Sequence, residues 1–274
     1  MTSLNHSAEK KANDAHLLRL VTSAVQSAGM ALKQSFSADN RPKDREDIAK
    51  KITAIDVISL DILRKSLSVA LPHAQWVEDE EGTGTLPAGE WWVTDPVEGA
   101  INSIHGLQDW GVTVTLVRDN EIVLTVVHLP MSGDTYTALR GEGAWLNDRR
   151  LQTSTKTHLN AAMVGTGQAM PNESDDTYRR MGMSVIAMLK EALVVQVSVP
   201  ATLQLIQIAA GRLDIFWQYS QVRSGLLAGA LLVSEAGGTV TDLQGAPWHL
   251  GSRSFLASTP SLVEQAAAVL TLIA

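Results

Sequence analysis

The chain contains no cysteine, which excludes disulfides, thiolate nucleophiles and cysteine-bound zinc and leaves oxygen and histidine to hold any metal. No stretch approaches the roughly 20 apolar residues needed to span a bilayer, because charged or polar side chains interrupt each hydrophobic run. The segment Met1–Asp14 is polar and lacks the apolar centre of a secretory signal. Basic residues are outnumbered 22 to 29 by acidic ones, and the net charge of -7 offers no general attraction to phosphate backbones or anionic lipid. These absences point to a cytoplasmic protein with neither nucleic acid nor membrane as partner. The composition also lacks the signature of disorder: 45% hydrophobic against 19% charged residues suits a folded chain. At 274 residues it can form one large domain or two closely packed ones.

Leu17, Leu20, Val21, Ala24, Val25, Ala28 and Leu32 recur at helical spacing and predict a helix over about His16 to Phe36. The charged, proline-containing stretch Asp39 to Glu46 should break it. A second helix follows through Ile55, Ile58, Ile62 and Leu63 to Pro72, with Asp56 near its start. Trp76-Val77 and Trp91-Trp92-Val93 read as short buried strands separated by an acidic loop, and Val112–Val117 and Ile122–Val127 as a hairpin turning at Asp119-Asn120. Tyr136–Leu139 adds a strand. Beyond residue 155, strands at Val194–Ser198, Asp214–Tyr219 and Thr239–Thr241 alternate with helices at Ala201–Gly211 and Ser224–Ala236, the latter stopped by Gly237-Gly238. The class is α/β, in two halves: 1–155 and 156–274.

The stretch Trp92-Val93-Thr94-Asp95-Pro96-Val97-Glu98-Gly99-Ala100-Ile101-Asn102 carries the chemistry. A strand ends in Asp95, Pro96 fixes the turn, and Glu98 and Gly99 lead to a helix start. Two carboxylates thus converge beside exposed backbone groups, a hard-oxygen set suited to Mg²⁺, which binds a few carboxylates and completes its octahedron with water and substrate phosphate.

This stretch resembles the inositol monophosphatase signature Asp-Pro-(Ile/Leu)-Asp-Gly-Thr-x-Asn, and His105-Gly106 continues it. Further similar segments occur in the same order: Thr53-Ala54-Ile55-Asp56, the acidic run Glu78–Glu81, Gly141–Asn147, Ala209–Asp214 and Ser234–Gly238. The resemblance implies alternating helix and sheet layers, an αβαβα sandwich, and a Mg²⁺-dependent phosphatase of a small phosphorylated metabolite, in a homodimer. It places Asp95, Glu98, the Val97 carbonyl and either Asp79 or Glu80 as metal ligands, and Asp56, Glu80 and Asp95 as the catalytic set. Glu98, Gly99, Ala100 and Arg223 form the expected substrate-facing set, with Gln218, Tyr219 and Gln221 as neighbours of Arg223.

Three departures qualify what the resemblance implies. The motif threonine, whose hydroxyl helps orient the attacking water in the family, is Ala100 here. The second motif aspartate is Glu98, whose extra methylene moves a carboxylate by about an ångström where Mg²⁺ demands distances of about 2.0–2.1 Å. A distant family aspartate falls on Gly225, which has no side chain to offer. Each lost pre-organised contact commonly costs about 10²–10³-fold in rate. A non-hydrolytic relative that binds a ligand or partner, or catalyses a different reaction, is therefore the second expectation, and a purely structural subunit the third.

Overall fold

The computed structural model describes residues 2–39, 41–79, 82–171, 173–219 and 223–273, so Glu80 and Gln221 lie outside the described residues. Its contacts gather into two compact units, 1–78 with 87–142, and 79–86 with 143–274.

In the first unit, helices α1 (Thr2–Ser35) and α2 (Arg45–Ala70) precede β1 (Gln75–Trp76), β2 (Glu90–Glu98), the short α3 (Ala100–Ile104), β3 (Gly111–Arg118), β4 (Glu121–Leu129) and β5 (Asp134–Leu139). The strands pair in sequence order, β1 parallel to β2 and the rest antiparallel. The turn between β3 and β4 carries Asp119 and Asn120 at positive φ, 51° and 66°, the left-handed pair that a tight hairpin requires. The apolar stripe of α1 (Leu17, Val21, Ala24, Val25, Ala28, Leu32) and Leu63 and Leu67 of α2 pack on Trp92, Val112, Val114, Leu116, Leu124 and Val126 of the sheet. Each Val or Leu among them contributes about 1.5–3 kcal/mol by leaving water. At the end of β3, Arg118 donates through Nη1 and Nη2 to Asp14 (3.1 and 2.9 Å) and through Nε to Glu90 (2.6 Å), tying α1 to the sheet.

Both leading helices begin earlier than their apolar periodicity predicts. α1 reaches back to Thr2 through a polar stretch rich in helix-forming Ala, Lys and Glu. The segment Asp39–Glu46 does separate the helices, but it ends as the start of α2. The Asp44 side chain accepts from Asp47 N, and Glu46 and Asp47 occupy the first turn, where the helix dipole favours acidic groups. Asp56 is consequently in the middle of α2, not near its start.

The second unit contains β6 (Gly143–Leu146), β7 (Arg149–Arg150), β8 (Met163–Thr166), α4 (Asp175–Glu191), β9 (Val194–Val197), α5 (Ala201–Ala209), β10 (Ile215–Gln218), α6 (Ser224–Glu235), β11 (Thr239–Thr241), β12 (Phe255–Ser258) and α7 (Val263–Leu270). Its five-stranded sheet runs β11-β12-β10-β8-β9. Met188 of α4 and Ala266 and Leu270 of α7 pack with Val164, Ile215, Trp217 and Leu256 on one face. Strand alternation turns Phe216, Phe255 and Ala257 to the other, and α5 and α6 contact the same strands. Asp214 is wholly buried and accepts from Ser154 Oγ (2.5 Å), Lys156 Nζ (2.7 Å) and Met163 N (2.7 Å), so this acid is a satisfied internal brace. Among the described residues, no helix is long and apolar enough to cross a membrane.

Candidate functional site

In the first unit, β2 delivers the acidic motif. Trp92, Val93 and Thr94 are buried, and β2 is clasped between β1 and β3. The pairing with β3 is regular up to Asp95 opposite Thr113, then shifts before resuming at Glu98 opposite Gly111. Pro96 sits inside that irregularity, where the N–H it lacks is not needed by the ladder. The bulge turns the chain so that Asp95 Oδ1 accepts from Val97 N at 3.1 Å. Gly99 then takes φ +81°, a left-handed conformation that favours glycine, and Ala100 opens α3. His105 closes that helix with Nδ1 2.7 Å from the Ile101 carbonyl, to which it can only donate, which makes it a structural histidine.

Glu98 is only 3% exposed. Burial pushes the Asp95 carboxyl well above the usual carboxylate range, and the neighbouring Glu98 and Asp56 push it further against the opposing bond from Val97 N. Burial also raises Asp56, half-way along α2, to about 6. Carboxylates that destabilise one another's charged form are the arrangement a cation relieves. Among the described residues no three acidic or histidine side chains already stand close enough to share one ion. Asp95 and Glu98 are hard oxygen donors, and Mg²⁺ in general takes one or two carboxylates and fills its remaining positions with water and substrate oxygens.

In the second unit, Asp79 is exposed and starts a loop folded around Arg223, the residue preceding α6. Arg223 is 8% exposed, so it is not a solubilising surface cation. It donates through Nη2 to the Thr83 carbonyl (2.6 Å), through Nε to the Gly84 carbonyl (3.1 Å) and through its main-chain N to Gly82 (3.1 Å). Burial lowers its pKa and the Asp79 charge opposes that. Sequence reasoning missed this bracing role, because nothing local links residue 223 to residues 82–84. Gln218 is buried at the end of β10 and Tyr219 follows it. Gly225 is the second residue of α6, and the place a Cβ would occupy has no neighbouring atom within 4 Å.

Helices layered on sheets, with acidic side chains gathered where a buried strand ends, define a carboxylate-bearing α/β protein. Residues 13–272 match the sequence profile of the inositol monophosphatase family, and the chain belongs to that phosphatase family, which is Mg²⁺-dependent in general. It is 34% identical to an inositol-1-monophosphatase of Rhizobium meliloti over 241 residues, covering 86% of this chain and 90% of that protein. It is 32% identical to a putative Nus factor SuhB of Neisseria meningitidis serogroup B over 248 residues, covering 88% and 93%. The crystal structure of extragenic suppressor protein suhB from Bartonella henselae superposes with a TM-score of 0.79 at 25% identity, covering 93% of this chain and 98% of that one. The layered α/β class expected from the sequence is the fold of these relatives.

Proposed function

We propose that the chain hydrolyses the phosphomonoester of a small metabolite. The observation that carries this reading is the buried Asp95 carboxyl at the end of β2, whose charge is opposed by those of Glu98 and Asp56, in a chain of this family. Asp95, Glu98 and the Val97 main chain would hold Mg²⁺, which when bound neutralises phosphate charge and makes water a better nucleophile. Glu98 is buried, and its backbone is anchored by pairing with Gly111. The backbone at Gly99 and Ala100 offers the first N–H groups of α3 to an anionic oxygen. Asp56 orients the attacking water directly and accepts its proton, since Ala100 provides no hydroxyl to relay that contact. The roles proposed for Asp79, Glu80 and Arg223 as ligands and substrate contact rest on the sequence resemblance alone.

Phosphate release from a panel of sugar and nucleotide phosphates tests the proposal: turnover should require Mg²⁺ and fall by at least about 10²-fold in Asp95→Asn. An inert panel together with no calorimetric Mg²⁺ binding overturns it.

A second reading is favoured by Ala100 and by the open space at Gly225: a relative that has given up hydrolysis and binds a ligand or partner. On that reading Ala100→Thr with Gly225→Asp creates or sharply raises phosphate release, whereas on the first reading the wild type is already active.

A further inference from the structure

In the first unit a cavity of about 150 Å³ lies between the end of α1, the first half of α2 and α3. Leu32, Phe36, Ile55 and Ile104 are its apolar lining. Lys51, Ser35, Ser37 and Ser103 are its polar lining, and among the described residues no carboxylate joins them. The Ser35 hydroxyl is spent on the Leu32 carbonyl at 2.9 Å. Ser103 is different: it is only 9% exposed, and its hydroxyl has no hydrogen-bond partner among the described residues. Hydroxyls so buried are nearly always hydrogen-bonded, and the cavity is where a partner can stand.

The walls are held in place from outside. Phe36 stacks on the buried Trp110 with ring centroids 5.8 Å apart and planes at 30°. Gly106, at φ +80°, lets the exit of α3 press on the chain leaving α1, since a Cβ there would stand 2.5 Å from the Ala38 carbonyl oxygen. A braced cavity with an apolar lining and a few polar groups is the usual form of a small-molecule site.

We propose that this cavity binds a small organic acid, with a single-ring or similarly sized apolar body against Phe36, Ile55 and Ile104 and its carboxylate held by Lys51 Nζ and the Ser103 hydroxyl. The volume fits, because a cavity of about 150 Å³ accommodates a benzene-sized body. The charge fits as well. A cation and a hydroxyl donor with no competing carboxylate select an anion. Residues 33–51 carry six basic side chains against four acidic ones, a local excess in a chain whose net charge is -7, which favours the approach of an anion to this end of the unit. Asp56, Asp95 and Glu98 are not part of the lining, so the site is separate from the acidic motif and stands whether or not the chain hydrolyses phosphomonoesters.

Sodium benzoate is the probe, titrated at constant ionic strength against the full chain labelled for amide NMR. Saturable shifts should concentrate at Ser37, Lys51, Ser103 and Ile104. Benzamide, which has the same ring without the charge, should bind at least about tenfold more weakly, and Lys51→Met should weaken benzoate by a similar factor. Ser103→Leu fills the cavity and should abolish the shifts while leaving the circular dichroism spectrum unchanged. Absence of saturable shifts across millimolar benzoate, shifts that survive Ser103→Leu, or equal binding of benzamide overturns the proposal. If Ser103→Leu fails to fold, Lys51→Met decides: an unchanged affinity for benzoate overturns it equally.

Discussion

At the scale of single residues, Asp95 bears an electrostatic strain that the metal-free protein has no evident use for. Its charge is opposed by burial, by Glu98 and by Asp56, with one backbone N–H in its favour. Asp95→Asn removes that repulsion at little cost in volume, so without divalent cation the variant should melt higher than wild type. A rise of about 2–4 °C, which corresponds to about 1 kcal/mol in a chain of this size, is the expected result of thermal unfolding in chelator. A drop in melting temperature would mean that the carboxylate is structurally satisfied. Ala100 shows what an identity decides locally: it keeps the helix start and loses the hydroxyl, so fold and chemistry separate at one position.

At the scale of elements, α1 and β4 approach closely enough that one methyl group matters. A Cβ at Gly29 would stand 2.5 Å from His128 Cδ2 and 2.9 Å from Pro130 Cγ. Gly29→Ala gains helix propensity of about 1 kcal/mol at most but overpacks a filled interface, which typically costs about 1–3 kcal/mol. Urea unfolding should show net destabilisation. The same contact has a pH signature. His128 is buried, with Nδ1 donating to the Asp134 carbonyl at 3.1 Å, and burial depresses its pKa below 6.5. Below 6.5 the unfolded chain therefore binds more protons than the native one. The stability of the neutral, buried ring is fully present above 6.5 and is lost as pH falls through the folded value. Wild type should lose more stability than His128→Gln between pH 7.5 and 5.5, and parallel losses would remove His128 as the cause.

At the scale of the whole molecule, any ion that binds the native state alone must raise its melting temperature. Mg²⁺ at 100 times its dissociation constant should add about 2.7 kcal/mol, reversed by chelator and absent in Asp95→Asn. A melting curve indifferent to Mg²⁺ across millimolar concentrations would remove the metal from the mechanism.

Much of this architecture was legible in the residue order because its signals are local. The stripe from Leu17 to Leu32, the Asp119-Asn120 turn, the strands flanking it and the Gly237 stop each follow from neighbours within a few positions. So did the acidic end of β2, since Asp95, Pro96, Glu98 and Gly99 form a continuous motif. The helix α4 escaped notice although the Ser174 cap and the acids Asp175 and Asp176 of its first turn mark its start. The start of α2 was misplaced because its first two turns are mostly charged and are marked by the Asp44 cap and the acids Glu46 and Asp47 rather than by an apolar stripe. By itself, then, the sequence determined most of the elements and which acidic side chains stand in the motif, because periodicity and side-chain chemistry are carried by residues close together along the chain. Only the tertiary structure decided which acids repel one another, that Arg223 is spent on the carbonyls of residues 83 and 84, and that Lys51 and Ser103 line one cavity. Burial and long-range proximity are properties of the packed chain, and no local pattern encodes them.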